Sequence, residues 1–160
     1  MEIDTIKNYL VQLEEFNKII DEIYIMSESL NEIYPNYKNW FYEKQVKGCY
    51  NESRNIIFIK NDKNEIVGFV SLKKEIDEKK LCTLYVKSDY RKMGNCKYLL
   101  EEAFKYLGTS KPLATFSKDN YHLFQRIIEK YNWKLTEKLK NKYQLDKTEY
   151  CFNGYLDKKI

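Results

Sequence analysis

The stretch LCTLYVKSDYRKMGNCKYLL, residues 81 to 100, contains the end of one secondary-structure element and the start of another. Its first six residues are mostly apolar and β-prone, which predicts a strand ending at Val86. A polar segment with Gly94 follows, and apolar side chains then recur at helical spacing as far as Leu107. Because Gly108 marks a helix end, the chain runs from a strand through a glycine-containing loop into a helix.

Two further β-rich runs precede this strand, at residues 55–60 and 66–74, with five turn-forming residues between them. This pattern is typical of a hairpin. The polar segment EIDEKK then predicts a second turn, so that residues 81–86 form a third consecutive antiparallel strand.

The first third of the chain has apolar residues at spacings of three and four, which predict a helix of about six turns. The residues on this stripe are Ile6, Leu10, Leu13, Phe16, Ile20 and Ile23. A strand pattern around Ile3 is weak. A second helix is predicted to begin after Pro35 and to end at Gly48.

Downstream of Gly108, KPLATFS predicts a short strand and NYHLFQRIIEKYN a helix. Alternating apolar residues predict a closing hairpin, at Trp133, Leu135, Leu139, Tyr150 and Phe152. The order of elements predicts an α/β chain, in detail an α+β mixed sheet of mostly antiparallel strands with one βαβ crossover and helices on both faces. Residues 1–160 are expected to form a single domain.

Composition narrows the classes of function. The 160 residues are 43% apolar and carry a net charge of +4, a mild basic bias that does not favour a nucleic-acid partner. The four cysteines form no CxxC pair and His122 is the single histidine, which argues against a metal site. The sequence has no signal-peptide pattern and no long apolar run, so a cytoplasmic protein with reduced thiols and no membrane partner is expected.

The glycine-containing loop is a candidate anion site. A helix start presents unpaired N–H groups and the positive end of the helix dipole, and Gly94 allows close approach because it lacks a Cβ. Arg91, Lys92 and Lys97 add positive charge, so a diphosphate fits. The alternative is that Gly94 only turns the chain from strand to helix.

These residues resemble the GNAT superfamily of acyl-CoA-dependent N-acetyltransferases. In that family a strand ending in L-x-V leads into the loop R-x-x-G-x-G/A, which opens a helix. The matching segments here are Leu84-Tyr85-Val86 and the loop from Arg91 to Cys96, followed by Leu99-Leu100. The resemblance extends over about residues 55 to 135, where IVGFVSL and IIEKYNW also fit.

The resemblance implies acetyl-CoA as the cofactor and a set of residues that bind it. The backbone of Leu84, Tyr85 and Val86 would pair with the pantetheine arm. The pyrophosphate would be held by the loop and helix start, at Arg91, Lys92, Met93, Gly94, Asn95, Cys96 and Lys97. Asn120 stands where the family has an asparagine near the pantetheine, and a plain helix N-cap is the alternative.

The catalytic positions depart from the family pattern. Cys82 and Thr83 stand where many members have a glutamate base, and Ile128 stands where the usual tyrosine acid belongs. Tyr131, further along the same helix, is the candidate acid, and a packed core tyrosine is the alternative.

The base would then come from elsewhere in the chain. The candidates are Glu28, Glu32 and Glu149, if the acceptor cleft lies between the helical N-terminal third and the closing hairpin. A surface carboxylate is the alternative for each. Cys96, at a helix start, is either a low-pKa thiol or a stand-in for alanine.

The function implied is an acyltransferase that moves an acetyl group from acetyl-CoA to a primary amine of a small molecule or peptide by direct attack. Two alternatives stand beside it: a coenzyme A-binding module with little or no turnover, and an RNA-directed enzyme acting on charged tRNA. A homodimer is left open. An aromatic acceptor pocket is one interpretation, and packing the other, for Tyr34, Tyr37, Trp40 and Tyr42.

Overall fold

Seven strands form one sheet in the computed structural model, which describes residues 1–91 and 94–156. The strands are β1 (Glu2–Thr5), β2 (Arg54–Lys60), β3 (Ile66–Lys74), β4 (Lys79–Val86), β5 (Leu113–Ser117), β6 (Leu135–Lys140) and β7 (Thr148–Phe152). Their order is β1-β2-β3-β4-β5-β7-β6. β4 and β5 are parallel and the other neighbouring pairs are antiparallel. The predicted mixed, mostly antiparallel sheet is confirmed.

One face of the sheet, here the α3 face, is covered by α3 (Asn95–Leu107) and α4 (Tyr121–Tyr131). Helix α3 crosses over from β4 to β5 and buries the predicted apolar stripe, which consists of Leu99, Leu100, Ala103 and Leu107. Gly108 ends the helix with a positive φ of 76° and donates its N–H to the Phe104 carbonyl, as a helix C-cap does.

The opposite face, here the α1 face, is covered by α1 (Leu13–Ser27) and α2 (Tyr37–Trp40), which continues as a π-helical segment (Phe41–Val46). The buried side chains of these helices, such as Phe16 and Phe41, pack with Phe58 and Phe69 of the sheet. Both faces are therefore apolar under their helices. The predicted start of the second helix after Pro35 and its end near Gly48 agree with the structure.

The helix predicted from Ile6 to Ile23 is wrong in its first turns. Residues Glu2–Thr5 pair with β2, so the weak strand pattern at Ile3 is real. The Thr5 hydroxyl then accepts a bond from the N–H of Lys7, and a short 3-10 turn precedes α1. Ile6 is buried within this turn, and the regular helical period begins only at Leu13.

The closing hairpin is also confirmed, but its second strand, β7, is the one that pairs with β5. The sequence pattern predicts the hairpin but not that β7 lies between β5 and β6 in the sheet. Within the described residues, no helix has the length and apolarity needed to cross a membrane.

Candidate active site

β4 and β5 lie side by side only at their first residues. Lys80 pairs with Leu113 and Leu81 with Ala114, and the described residues form no further pair between these strands. Residues 82–85 are consequently only half-buried, although β4 is the fourth of seven strands. The backbone groups of β4 that face β5 line an open cleft, and an extended ligand can pair with them as an added strand.

A β-bulge in β4 explains why the two strands separate. Ser71 of β3 lies opposite Thr83, whereas Leu72 lies opposite Leu81, so Cys82 is an extra residue on β4. A bulge bends its strand and increases the local twist. Because the bulge follows directly after the last pair with β5, it directs the rest of β4 away from β5.

The glycine loop joins the end of β4 to the start of α3. Gly94 precedes the helix with a φ of +77°, and, chain neighbours aside, no atom of the described residues lies within 4 Å of the position its Cβ would occupy. The buried Asn95 donates its side-chain N–H to the Tyr90 carbonyl at 3.0 Å and so fixes the loop. The first N–H groups of α3 have no carbonyl partner within the helix, as at any helix start, and a helix start after a glycine is a common anion site.

Arg91 connects this loop to β4. Its Nε donates to the Val86 carbonyl at 2.7 Å, and its guanidinium lies 5.8 Å from the centre of the Tyr85 ring. The structure thus brings Tyr85, Val86 and Arg91 together, as the sequence predicts. Lys97 is exposed and its Nζ lies 3.9 Å from Glu101 further along α3. Two predicted residues of the loop, 92 and 93, lie outside the described part.

Cys96 does not have the low pKa that its position at a helix start predicts. Burial raises the pKa of this thiol, and the opposing effect of the Arg91 charge is smaller. The side chain packs against the core of the α3 face. Cys96 therefore serves as a small packing residue, the alternative that the sequence left open.

Asn120 and Tyr131 lie at opposite ends of α4. Asn120 is half-buried at the carboxyl end of β5, on the same side as the glycine loop, and its side chain makes no capping hydrogen bond. Tyr131 is the last residue of α4, about 16 Å further along the helix axis, and packs edge-on against Phe104 at 4.9 Å. The structure therefore does not bring Tyr131 to the cleft. Ile128 is a buried core residue.

Glu149 is the one buried carboxylate of the described residues. It lies on β7, opposite Ser117, and faces the α1 side of the sheet. Burial raises the pKa of Glu149 to about 7. Hydrogen bonds from Tyr34, at 3.2 Å, and from Thr115 oppose that shift, as does the charge of Lys80 on β4. A carboxylate with this pKa can exchange a proton near neutral pH.

The two other predicted bases have no comparable environment, since Glu28 and Glu32 are exposed. Of the four predicted aromatic residues, Tyr37 is buried in the core of the α1 face, and Tyr42 donates to Asp21. Tyr34 and Trp40 are half-buried beside the sheet. The sequence did not point to Thr115, which sits in an ordinary strand pattern and carries no chemical signal of its own.

The parted strands, the glycine loop and the crossover helix can be compared with known families. The profile of the acetyltransferase (GNAT) family matches residues 14–127 of the chain. This protein belongs to the GNAT family. Acetyl-CoA is the acyl donor that the family uses, and the GNAT resemblance seen in the sequence is confirmed. No curated protein sequence matches the chain.

Solved structures agree with the fold of this GNAT protein. A structure assigned to the GNAT family from Desulfovibrio desulfuricans is 16% identical, with a TM-score of 0.65 over 84% of this chain and 90% of the other. An aminoglycoside 6'-N-acetyltransferase in complex with coenzyme A is 18% identical, with a TM-score of 0.58 over 95% of both chains. A ribosomal-protein alanine N-acetyltransferase from Escherichia coli is 16% identical, with a TM-score of 0.56 over 67% of this chain and 74% of the other. At these identities the likeness concerns the fold alone.

The buried carboxyl predicts a pH-dependent stability difference for Glu149→Gln. The unfolded carboxyl ionises near pH 4.5 and the folded one near pH 7, so the wild type loses stability as pH rises through this window. The variant has no such charge. It should therefore gain about 3 kcal/mol relative to the wild type between pH 4.5 and pH 8, measured by urea unfolding.

Tyr34→Phe is a second variant for this experiment. It removes the O–H that stabilises the ionised carboxylate, so the stability loss with rising pH should become larger than in the wild type. If the unfolding free energies of the wild type and Glu149→Gln change with pH in parallel, the raised pKa of Glu149 is contradicted.

Proposed function

We propose that this protein is an N-acetyltransferase that moves an acetyl group from acetyl-CoA directly to a primary amine, with Glu149 as the general base. The observation that carries the proposal is a buried carboxylate, with a pKa near 7, on the β5 side of the cleft between β4 and β5. Family membership supplies the reaction class, and this carboxylate supplies the missing base.

The residues of the cleft fit the cofactor. The unpaired edge of β4 near Leu84, Tyr85 and Val86 suits an extended amide-containing arm, and the open helix start at Gly94 suits a diphosphate. Arg91 is anchored to the end of β4 and adds a positive charge there. When bound, acetyl-CoA would supply a thioester carbonyl and a thiolate leaving group.

Glu149 would remove the proton that the acceptor amine loses on attack. Its Oε1 accepts a bond from Tyr34, which fixes the carboxylate, and Thr115 bonds it as well. A general base works best when its pKa is near the operating pH. The usual glutamate of the family would lie on β4, so here the base comes from the other side of the cleft.

The proposal includes no general acid. The predicted acid, Tyr131, lies against Phe104 at the far end of α4, and Ile128 is buried in the core. A thiolate leaves without strong acid assistance, and holding the two reactants together lowers the barrier by about 7–11 kcal/mol. Unpaired N–H groups on the β5 side of β4 are positioned to donate to the reacting carbonyl.

The acceptor is proposed to be a small molecule or peptide that carries a primary amine. The solved neighbours include an aminoglycoside acetyltransferase and a ribosomal-protein acetyltransferase, so the fold accommodates both kinds of acceptor. The acceptor would enter from the α1 face, where Tyr34 and Trp40 are half-buried beside the sheet.

A matched pair of glycine variants tests the pyrophosphate site. Gly94 and Gly108 lie at the two ends of α3, with φ of 77° and 76°, and both have open space at the Cβ position. Alanine at either position should cost about 1 kcal/mol in unfolding free energy, because both would adopt a left-handed conformation. Only Gly94→Ala should weaken acetyl-CoA binding, by about tenfold or more in calorimetry, because its Cβ enters the space before the helix start.

Equal acetyl-CoA affinity for the two variants would remove the pyrophosphate assignment. In that case Gly94 serves only to turn the chain into α3.

The catalytic role of Glu149 is tested with Glu149→Gln. Glutamine keeps an acceptor oxygen for Tyr34 but cannot take the amine proton, so kcat should fall by about 100-fold or more. The wild-type kcat/KM should rise with pH and bend near pH 7, and the variant should lack this bend. Thiol release from acetyl-CoA in the presence of an amine panel provides the measurement.

Acetyl-CoA binding provides the control for this variant and should be unchanged, because Glu149 lies on β7, two strands away from β4 and its glycine loop. If Glu149→Gln keeps the wild-type rate and the same bend, another group is the base. If acetyl-CoA binds but no amine consumes it, the protein is a coenzyme A-binding module rather than an enzyme.

A further inference from the structure

Three cationic side chains form a row across the α1 face of the sheet. Arg54 on β2 lies opposite Lys73 on β3, and Lys73 lies opposite Lys80 on β4. Their neighbours Leu72 and Leu81 point into the core of the α3 face, which places Lys73 and Lys80 on the α1 face. We call Arg54, Lys73 and Lys80 the basic row.

The members of the basic row differ in their partners. Lys73 lies between two carboxylates, with its Nζ 2.5 Å from Glu78 and 3.7 Å from Glu75. Arg54 donates to the neutral Gln45 side chain at 2.9 Å, and its guanidinium lies 5.7 Å from the Trp40 ring centre. For Lys80 and Arg54, the described residues offer no carboxylate within 4.0 Å. Among the described residues, two of the three charges therefore have no carboxylate in direct contact.

This positive charge is concentrated at the bulge of β4. Arg54 contacts the Cys82 sulfur at 3.7 Å, and the charges of Lys80, Arg54 and Lys73 all act on that thiol. The charge of Lys80 also reaches Glu149 across the cleft. Lys80 and the proposed base therefore lie on the same face of the sheet, Lys80 beside the last pair between β4 and β5 and Glu149 three residues further along, opposite Ser117.

The basic row cannot serve the pyrophosphate of the cofactor. Lys80 and Val86 are six positions apart on an extended strand, which corresponds to about 20 Å. The glycine loop lies beyond Val86. An anion bound at the helix start of α3 is thus a full strand length away from Lys80.

We infer that the acceptor amine carries its own anionic group, a carboxylate or a phosphate, which binds Lys80 and Arg54 while its amine faces Glu149. This inference rests on the proposed function and names the substrate class. An amino acid or a phosphorylated amine has this chemistry. A polycationic acceptor such as an aminoglycoside does not, because its further ammonium groups would meet the basic row with like charge.

The experiment compares acceptors that differ only in the anionic group. Amino acids are tested beside their amides, phosphoethanolamine beside ethanolamine, and kanamycin serves as the polycation. The acid-bearing member of a pair should have a kcat/KM at least tenfold above that of its uncharged counterpart. Whether the amino-acid pair or the phosphoethanolamine pair shows this difference distinguishes a carboxylate from a phosphate. Lys80→Gln should reduce this ratio at least fivefold. Lys79→Gln is the control, since Lys79 bonds loop carbonyls on the other side of the strand and should keep the wild-type ratio.

The inference is overturned if the enzyme prefers the uncharged amines or kanamycin. It is also overturned if Lys80→Gln leaves the ratio of kcat/KM for charged and uncharged acceptors unchanged. In both cases the acetyltransferase assignment stands. If no amine in the panel is acetylated, the inference is tested by calorimetric binding of 3-aminopropanoate and phosphoethanolamine to the coenzyme A complex. Binding that Lys80→Gln weakens supports the inference, and absence of binding overturns it. Failure to bind acetyl-CoA at all overturns the proposed function instead.

Discussion

The separation of β4 and β5 at the Cys82 bulge is the constraint on which the site depends. Elsewhere the sheet is continuous, and apolar layers on both faces hold its strands together. An unpaired backbone in the middle of a sheet is costly unless water or a ligand satisfies it. Because Leu81 makes the last pair with β5, the unsatisfied edge runs from Cys82 towards the start of α3, and Glu149 lies on the β5 side of the cleft, opposite Ser117.

Glu149 shows how this protein places an acidic group where it is unfavourable for stability. The carboxylate is buried, and the bonds from Tyr34 and Thr115 together with the Lys80 charge only partly compensate the lost solvation. Active sites commonly retain such a local loss of stability because the chemistry requires it. The large apolar cores on the two faces of the sheet provide the stability that tolerates it.

The sequence predicts the elements well and the special positions poorly. Strands β2 to β5 follow from short runs of β-prone residues and helix α3 from a period of 3.6 residues, which are local properties. The bulge at Cys82 is invisible because one extra residue leaves the composition of a strand unchanged. Glu149 alternates with Tyr150 in β7, and such a pattern predicts a solvent-exposed glutamate. It is buried because the N-terminal helices cover the second face, and a contact between residues 34 and 149 is not a local property.

The two proposed anion sites lie at opposite ends of β4, about 20 Å apart along the strand. This distance exceeds the Debye length of about 8 Å at physiological ionic strength, so a charge bound at one end is largely screened from the other. A cofactor with several phosphates can then bind at the glycine loop without repelling an acid-bearing acceptor. If both anions shared the helix start, they would compete for the same N–H groups and for Arg91. The length of β4 would thus allow the acceptor anion to bind at the paired start of the strand and the cofactor along its open edge, with the reacting groups between them.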